Sequence, residues 1–218
     1  KFISGNRCEK GSGVQEKNDI PDMFDYKYKR TFDYEPLGPG APKGDIGLPR
    51  GLNMYENYPF WHTLLTDLGF NVVLSGRSSR AMYMKGMETI PSESVCYPAK
   101  LMHGHIEDLI QKGVKTIFYP CVPYEKKEYE QAGNHYNCPI VTSYPEVIKN
   151  NVEDLRLNGI KYMDPFFSFE AEDVMPRRIY EEFRSFGVTK KQAERAVKKA
   201  YAEQRRYKRD LVDKAKEI

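Results

Sequence analysis

Pro91-Ser-Glu-Ser-Val-Cys-Tyr-Pro-Ala-Lys-Leu-Met-His-Gly-His105 opens the element on which the rest of the chain turns. Pro98 falls in the first turn of a predicted helix, an amphipathic run follows to about Gln111, and Gly113 stands where such a helix stops. Val114-Lys-Thr-Ile-Phe-Tyr119 then has the length and β-branched content of a buried strand, closed by Pro120-Cys121. A helix joined to a strand by so short a link is half of a crossover unit.

The same alternation continues outward. Upstream, Ile46–Met54 reads as a strand broken by Pro49 and Gly51, residues 57–68 as a helix stopped by Gly69, Asn71–Leu74 as a buried strand, and Ser78–Lys85 as a short helix ending at Gly86. Downstream, Pro139–Thr142 reads as a strand, Tyr144–Asn150 as a helix and Ile160–Met163 as a last strand. The prediction is an α/β fold: a mainly parallel sheet with helices on both faces, whose ligands bind beyond the carboxyl ends of the strands. That domain spans residues 46–168. Residues 1–45, dense in glycine and proline around the aromatic-charged run Phe24–Tyr34, read as an irregular linker or wrapping arm. Residues 169–218 read as a helical extension continuing into a larger protein, with a capping box at Thr189-Lys-Lys-Gln192 and a thin apolar face of Ala193, Ala196, Val197 and Ala200.

The 218 residues carry a net charge of +3, which gives no strong case for binding nucleic acid or a membrane surface and leaves phosphate or nucleic-acid binding by the basic last helix as a minor alternative. Four unpaired-looking cysteines and no apolar run of membrane-spanning length favour a reducing, cytoplasmic setting. The initial Lys1 in place of Met suggests an excised or processed chain.

Cys96 stands where a helix begins, and helix starts present free N–H groups and a positive dipole end that suit an anionic ligand atom. Cys121 ends a strand, and its carboxyl end should open on the same side. Cys138, at the amino end of the expected strand Pro139–Thr142, would lie on the far edge. The three are separated by 24 and then 16 residues with no close pair, a spacing that leaves iron–sulfur, zinc and plain burial all open. His135 would complete a mixed metal site with Cys138. His103 and His105 project about 200° apart on one helix and cannot share a metal. His62 reads as structural. Glu93, three residues before Cys96, is the acid placed for proton transfer or ligation. No Walker loop, GxSxG, HExxH or GxGxxG string occurs.

Residues 46–165 resemble a domain of the large activator-type proteins of the 2-hydroxyacyl-CoA dehydratase system, related to the (R)-2-hydroxyglutaryl-CoA dehydratase activator. The resemblance rests on Pro49-Arg-Gly-Leu-Asn-Met-Tyr-Glu-Asn-Tyr-Pro-Phe-Trp61, Leu68-Gly-Phe-Asn-Val-Val-Leu-Ser75, Ile90–His105, Phe118-Tyr-Pro-Cys-Val-Pro-Tyr-Glu125 and Asn134-His-Tyr-Asn-Cys-Pro-Ile-Val-Thr-Ser-Tyr-Pro-Glu146. Ser4-Gly-Asn-Arg-Cys-Glu9 is similar to the linker that follows the ATPase modules of that family. The resemblance implies a [4Fe–4S] cluster on Cys96, Cys121 and Cys138, with Cys8 or a non-cysteine group as fourth ligand, and zinc as the alternative metal. It also implies low-potential electron transfer or dehydratase-like chemistry, ATPase and other modules of the same polypeptide as partners, and an acyl-CoA as candidate substrate. The ATPase motifs are absent from this chain, which is not expected to hydrolyse ATP.

Overall fold

The computed structural model describes residues 22–217. Four short strands, β1 (Asp45–Leu48), β2 (Asn71–Leu74), β3 (Thr116–Phe118) and β4 (Lys161–Met163), form one sheet in the order β2-β1-β3-β4, every neighbouring pair parallel. Between β1 and β2 runs α2 (Met54–Leu68); between β2 and β3 run α3 (Arg80–Gly86) and α4 (Tyr97–Gln111). Between β3 and β4 run α5 (Pro139–Asn151) and the single turn α6 (Asp154–Leu157). The chain steps one way from β1 to β2 and the opposite way from β2 across β1 to β3. With right-handed crossovers, the two steps place α2 on one face and α4 and α5 on the other. The fold is thus the expected parallel α/β sheet with helices on both faces, and its direction switches between β1 and β3.

Local signals explain most boundaries. Gly69 takes the left-handed conformation (φ 101°) that closes α2, and its N–H donates to the Leu65 and Thr66 carbonyls. Gly113 (φ 79°) does the same work after α4. The capping box forms as expected: Gln192 N–H donates to Thr189 Oγ1 and the Thr189 N–H to Gln192 Oε1. From it α8 (Lys190–Lys216) runs along α2, preceded by α7 (Met175–Phe183). The face of Ala193, Ala196, Val197 and Ala200 is wholly buried and widened by Tyr201, so these small residues let α8 lie close on the core. Edge-on aromatic contacts knit the layers: Trp61 on Phe118, Phe60 on Tyr201 and Phe60 on Phe169, with centroids near 5 Å.

Three expectations are corrected. The strand expected over Ile46–Met54 ends at Leu48, because Pro49 and Gly51 turn the chain and Leu52 adopts a positive φ of 48°. Pro139–Thr142 is not a strand but the first turn of α5: Pro139 sits where a helix has no use for its N–H, and that outweighs the strand preference of Ile140-Val-Thr142. The arm holds a helix, α1 (Met23–Phe32), started by Asp22, whose carboxylate accepts from the Phe24 and Asp25 N–H groups. Its aromatic spacing buries Phe32 against Tyr55 and Tyr58. No helix of the described residues is long and apolar enough to cross a membrane.

Candidate functional site

α4 leads back to the amino end of β3, and α5 toward that of β4, so both helices begin at the carboxyl edge of the sheet. Cys96 is the N-cap of α4 and Cys138 the N-cap of α5, and both are exposed. Turning the expected strand into a helix therefore moves Cys138 from the far edge to the same edge as the other two.

Cys121 prolongs β3 by a parallel bridge to Phe166. Its N–H donates to the Pro165 carbonyl at 2.9 Å, and its own carbonyl accepts from Phe167 N–H at 2.9 Å. The side chain is 0% exposed. Burial, and then the nearby Asp164 and Glu146 carboxylates, push its thiol up to about 12. Among the described residues, no three His, Cys, Asp or Glu side chains gather closely enough to hold a metal ion. The three thiols share an edge, but they do not stand there as a ready ligand set. Cys8 lies outside the described residues.

The histidines are occupied elsewhere. His103 is fully buried between Thr89 Oγ1 (2.7 Å from Nδ1) and the Tyr144 hydroxyl (3.1 Å from Nε2), bridging α4 and α5. His105 faces the other way, with Ser75 Oγ 2.9 Å from Nδ1 and Ser78 Oγ 3.0 Å from Nε2, as the helical period requires. His62 packs on Tyr34 and Tyr58. Burial lowers all three to about 4. His135 stacks on Tyr136 and places Nε2 3.2 Å from Glu170. Glu93 is exposed in the loop before α4, where its backbone carbonyl accepts from Lys100 Nζ at 2.6 Å.

A second feature escapes sequence reasoning. In the first turns of α2 and the segment after β3, Asn57 Nδ2 and Asn137 Nδ2 both donate to one oxygen, Glu125 Oε1, each at 2.8 Å. This knot walls a cleft that also meets Tyr201 and Gln204 of α8. Its one local signal is Asn53 and Asn57, two amides four residues apart at the start of an apolar helix. The basic residues of α8 are largely spoken for: Arg195 and Lys199 pair with Asp67, Arg206 with Glu203 and Lys208 with Glu128.

Comparison with known proteins adds one finding. The family model described as "CoA enzyme activase uncharacterised domain (DUF2229)" matches residues 45–218. Neither the curated proteins nor the solved structures returned a match. The matched span begins at the first residue of β1 and takes in every strand and α8, which makes the sheet and its long terminal helix one family unit. The chain belongs to the family of the CoA enzyme activase uncharacterised domain.

Proposed function

We propose that this domain is the iron–sulfur-binding part of a CoA enzyme activase-type protein, serving low-potential electron transfer. Cys96, Cys121 and Cys138 are the thiolate ligands of a [4Fe–4S] cluster. The observation that carries the reading is topological: the starts of α4 and α5 and the end of β3 each deliver one cysteine to the carboxyl edge of a parallel sheet. Cys8 or His135 is the candidate fourth ligand. The partners are ATPase modules of the same polypeptide and the dehydratase they serve, with an acyl-CoA as the substrate class. Ligation has to overcome the burial that holds Cys121 as a thiol. Anaerobic reconstitution with ferrous iron and sulfide, followed by iron and sulfide analysis and EPR of the reduced sample, tests the assignment. A cluster lost from a Cys96→Ala, Cys121→Ala double variant is expected; a normal cluster in that variant overturns it.

A second reading is favoured by the dispersed thiols and the burial of Cys121. Here the domain is a non-catalytic interaction module whose cysteines are buried or hold zinc. Zinc without sulfide, or no metal at all after anaerobic handling, selects it.

A further inference from the structure

A buried polar atom without a partner costs about 1–3 kcal/mol, so several of them around one cleft mark a place where a ligand completes the structure. Three side chains along the Glu125 cleft are in that condition. Both amide atoms of Asn53 (6% exposed), the Tyr201 hydroxyl (7%) and Gln204 Oε1 (8%) have no hydrogen-bond partner among the described residues. The cleft consists of two cavities of about 380 and 400 Å³ that share Asn57, Lys208 and the segment 125–128 as a common wall. Each falls within the range of roughly 300–1,000 Å³ usual for small-molecule sites. It is built from the start of α2, which follows β1, and the loop after β3. That is the point where the strand order reverses, and where parallel α/β sheets bind ligands.

We propose that this cleft binds a nucleoside phosphate. The Asn53 amide offers a donor and an acceptor side by side, the complement of a base edge such as adenine N6–H and N7. Glu125 is held at Oε1 by two amides, while Oε2 has no partner among the described residues and is free to accept from vicinal ribose hydroxyls. Tyr129 and Tyr136 present exposed rings at the wall of the first cavity, suited to stacking on a planar base. At the second cavity, Lys126 and Arg205 are tied to Glu172 and Lys208 to Glu128, but Lys127 and Arg209 have no ion pair among the described residues and are available to phosphate. A plain anion would leave Asn53 and Glu125 without purpose, and a neutral sugar would leave the two cations so. None of the three described cysteines lines either cavity; His135 does line the first, but the Asn53, Lys127 and Arg209 contacts of the nucleotide do not involve it, so loss of the cluster in the Cys96→Ala, Cys121→Ala variant should leave ADP binding in place.

The nucleotide is either free or the nucleotide end of coenzyme A, and calorimetric titration of the 218-residue chain separates the two. The probes are ADP, coenzyme A, pantetheine and inorganic pyrophosphate. ADP and coenzyme A should bind, the tighter of the two naming the source, with pantetheine and pyrophosphate weaker by about tenfold or more. Binding of neither ADP nor coenzyme A at millimolar concentration overturns the proposal, as does pyrophosphate binding as tightly as ADP, or pantetheine as tightly as coenzyme A. Lys127→Ala and Arg209→Ala remove exposed cations without threatening the fold, and each should weaken ADP about tenfold. Glu125→Gln should weaken ADP but not pyrophosphate. Unchanged affinity in all three variants places the ligand elsewhere and also overturns the assignment.

Discussion

Cys96 and Cys138 occupy the same backbone state, φ −61° and ψ 148° against φ −60° and ψ 148°, each as the N-cap of a helix with proline in its first turn. Neither side chain caps its helix, so both thiols are left to solvent or to a ligand. Cys121 differs in every respect: it continues a strand and is sealed inside. An edge with two presented thiols and one withheld thiol can be read out chemically.

Iodoacetamide should label Cys96 and Cys138 in the native chain and leave Cys121 unmodified until denaturant is added. Burial blocks access to Cys121, and a thiol pushed up to about 12 supplies almost no thiolate at pH 8. Peptide mass spectrometry of native and denatured samples gives the count. Labelling of Cys121 at a rate like that of Cys96 would contradict its placement.

Gly104 is the point of closest approach between α4 and α3. A Cβ there would stand 1.7 Å from the Met82 carbonyl oxygen, and a Cβ on the facing Gly86 would stand 2.3 Å from Gly104 N. Backbone cannot yield as a side-chain tip can. Gly104→Ala should therefore destabilise the chain by about 3 kcal/mol or more, the upper end of overpacking costs. Urea unfolding measures it, with the exposed-site change Gly133→Ala, which meets nothing within 4 Å, as the control.

Elements set by local chemistry were legible. Asn71–Leu74 is found as predicted, the helix opened by Cys96 runs to Gln111, and Thr189 and Gln192 form their box. The misread segment, Pro139–Thr142, carries two contradictory local signals, and a long-range contact, Tyr144 to His103, accompanies the helical outcome. The cleft left only the Asn53/Asn57 spacing as a local trace. Glu125 draws together Asn57 and Asn137 from different loops, and Gln204 reaches it from a helix 148 positions beyond Glu56, whose carbonyl accepts its Nε2–H. Such a meeting depends on how the layers stack, which no window of neighbouring residues reports.

The arm helix α1 is fastened to α8 by Arg30. Its Nη2 donates to Glu203 at 2.8 Å and its Nε to Asp210 at 2.7 Å, while Tyr34 donates to the same Glu203 oxygen at 2.7 Å. Arg30 and Glu203 are both mostly buried, so losing Arg30 removes two charge-assisted hydrogen bonds across the α1–α8 contact, although Arg206 and Tyr34 still partner Glu203. Arg30→Ala should cost about 2 kcal/mol locally and expose residues 22–44 to protease before the sheet unfolds. Limited trypsin digestion checks the order of cleavage; an unchanged digestion pattern would show that the aromatic contacts of Phe32 suffice.

Acid should weaken the fold well above the carboxylate range. His62, His103 and His105 are held near pKa 4 by burial, against about 6.5 in an unfolded chain. Between those values the unfolded state binds protons that the folded state refuses, so stability rises with pH there and is lost as pH falls from about 6.5 toward 4. Each histidine contributes on the order of 3 kcal/mol to that loss. Below it Asp108 adds to the decline. Burial alone would raise its carboxyl, but Lys85, the Gly76 N–H and Lys112 together hold it below the usual range, and protonation forfeits those bonds. The urea midpoint should fall steadily from pH 7 to 4.5, with a slope of about three protons. His103→Gln keeps a hydrogen-bonding group between Thr89 and Tyr144 while removing the titration, and should cut that slope by about one proton. A midpoint independent of pH over this interval would mean that the histidines are protonated inside the fold, which their Ser, Thr and Tyr partners do not favour.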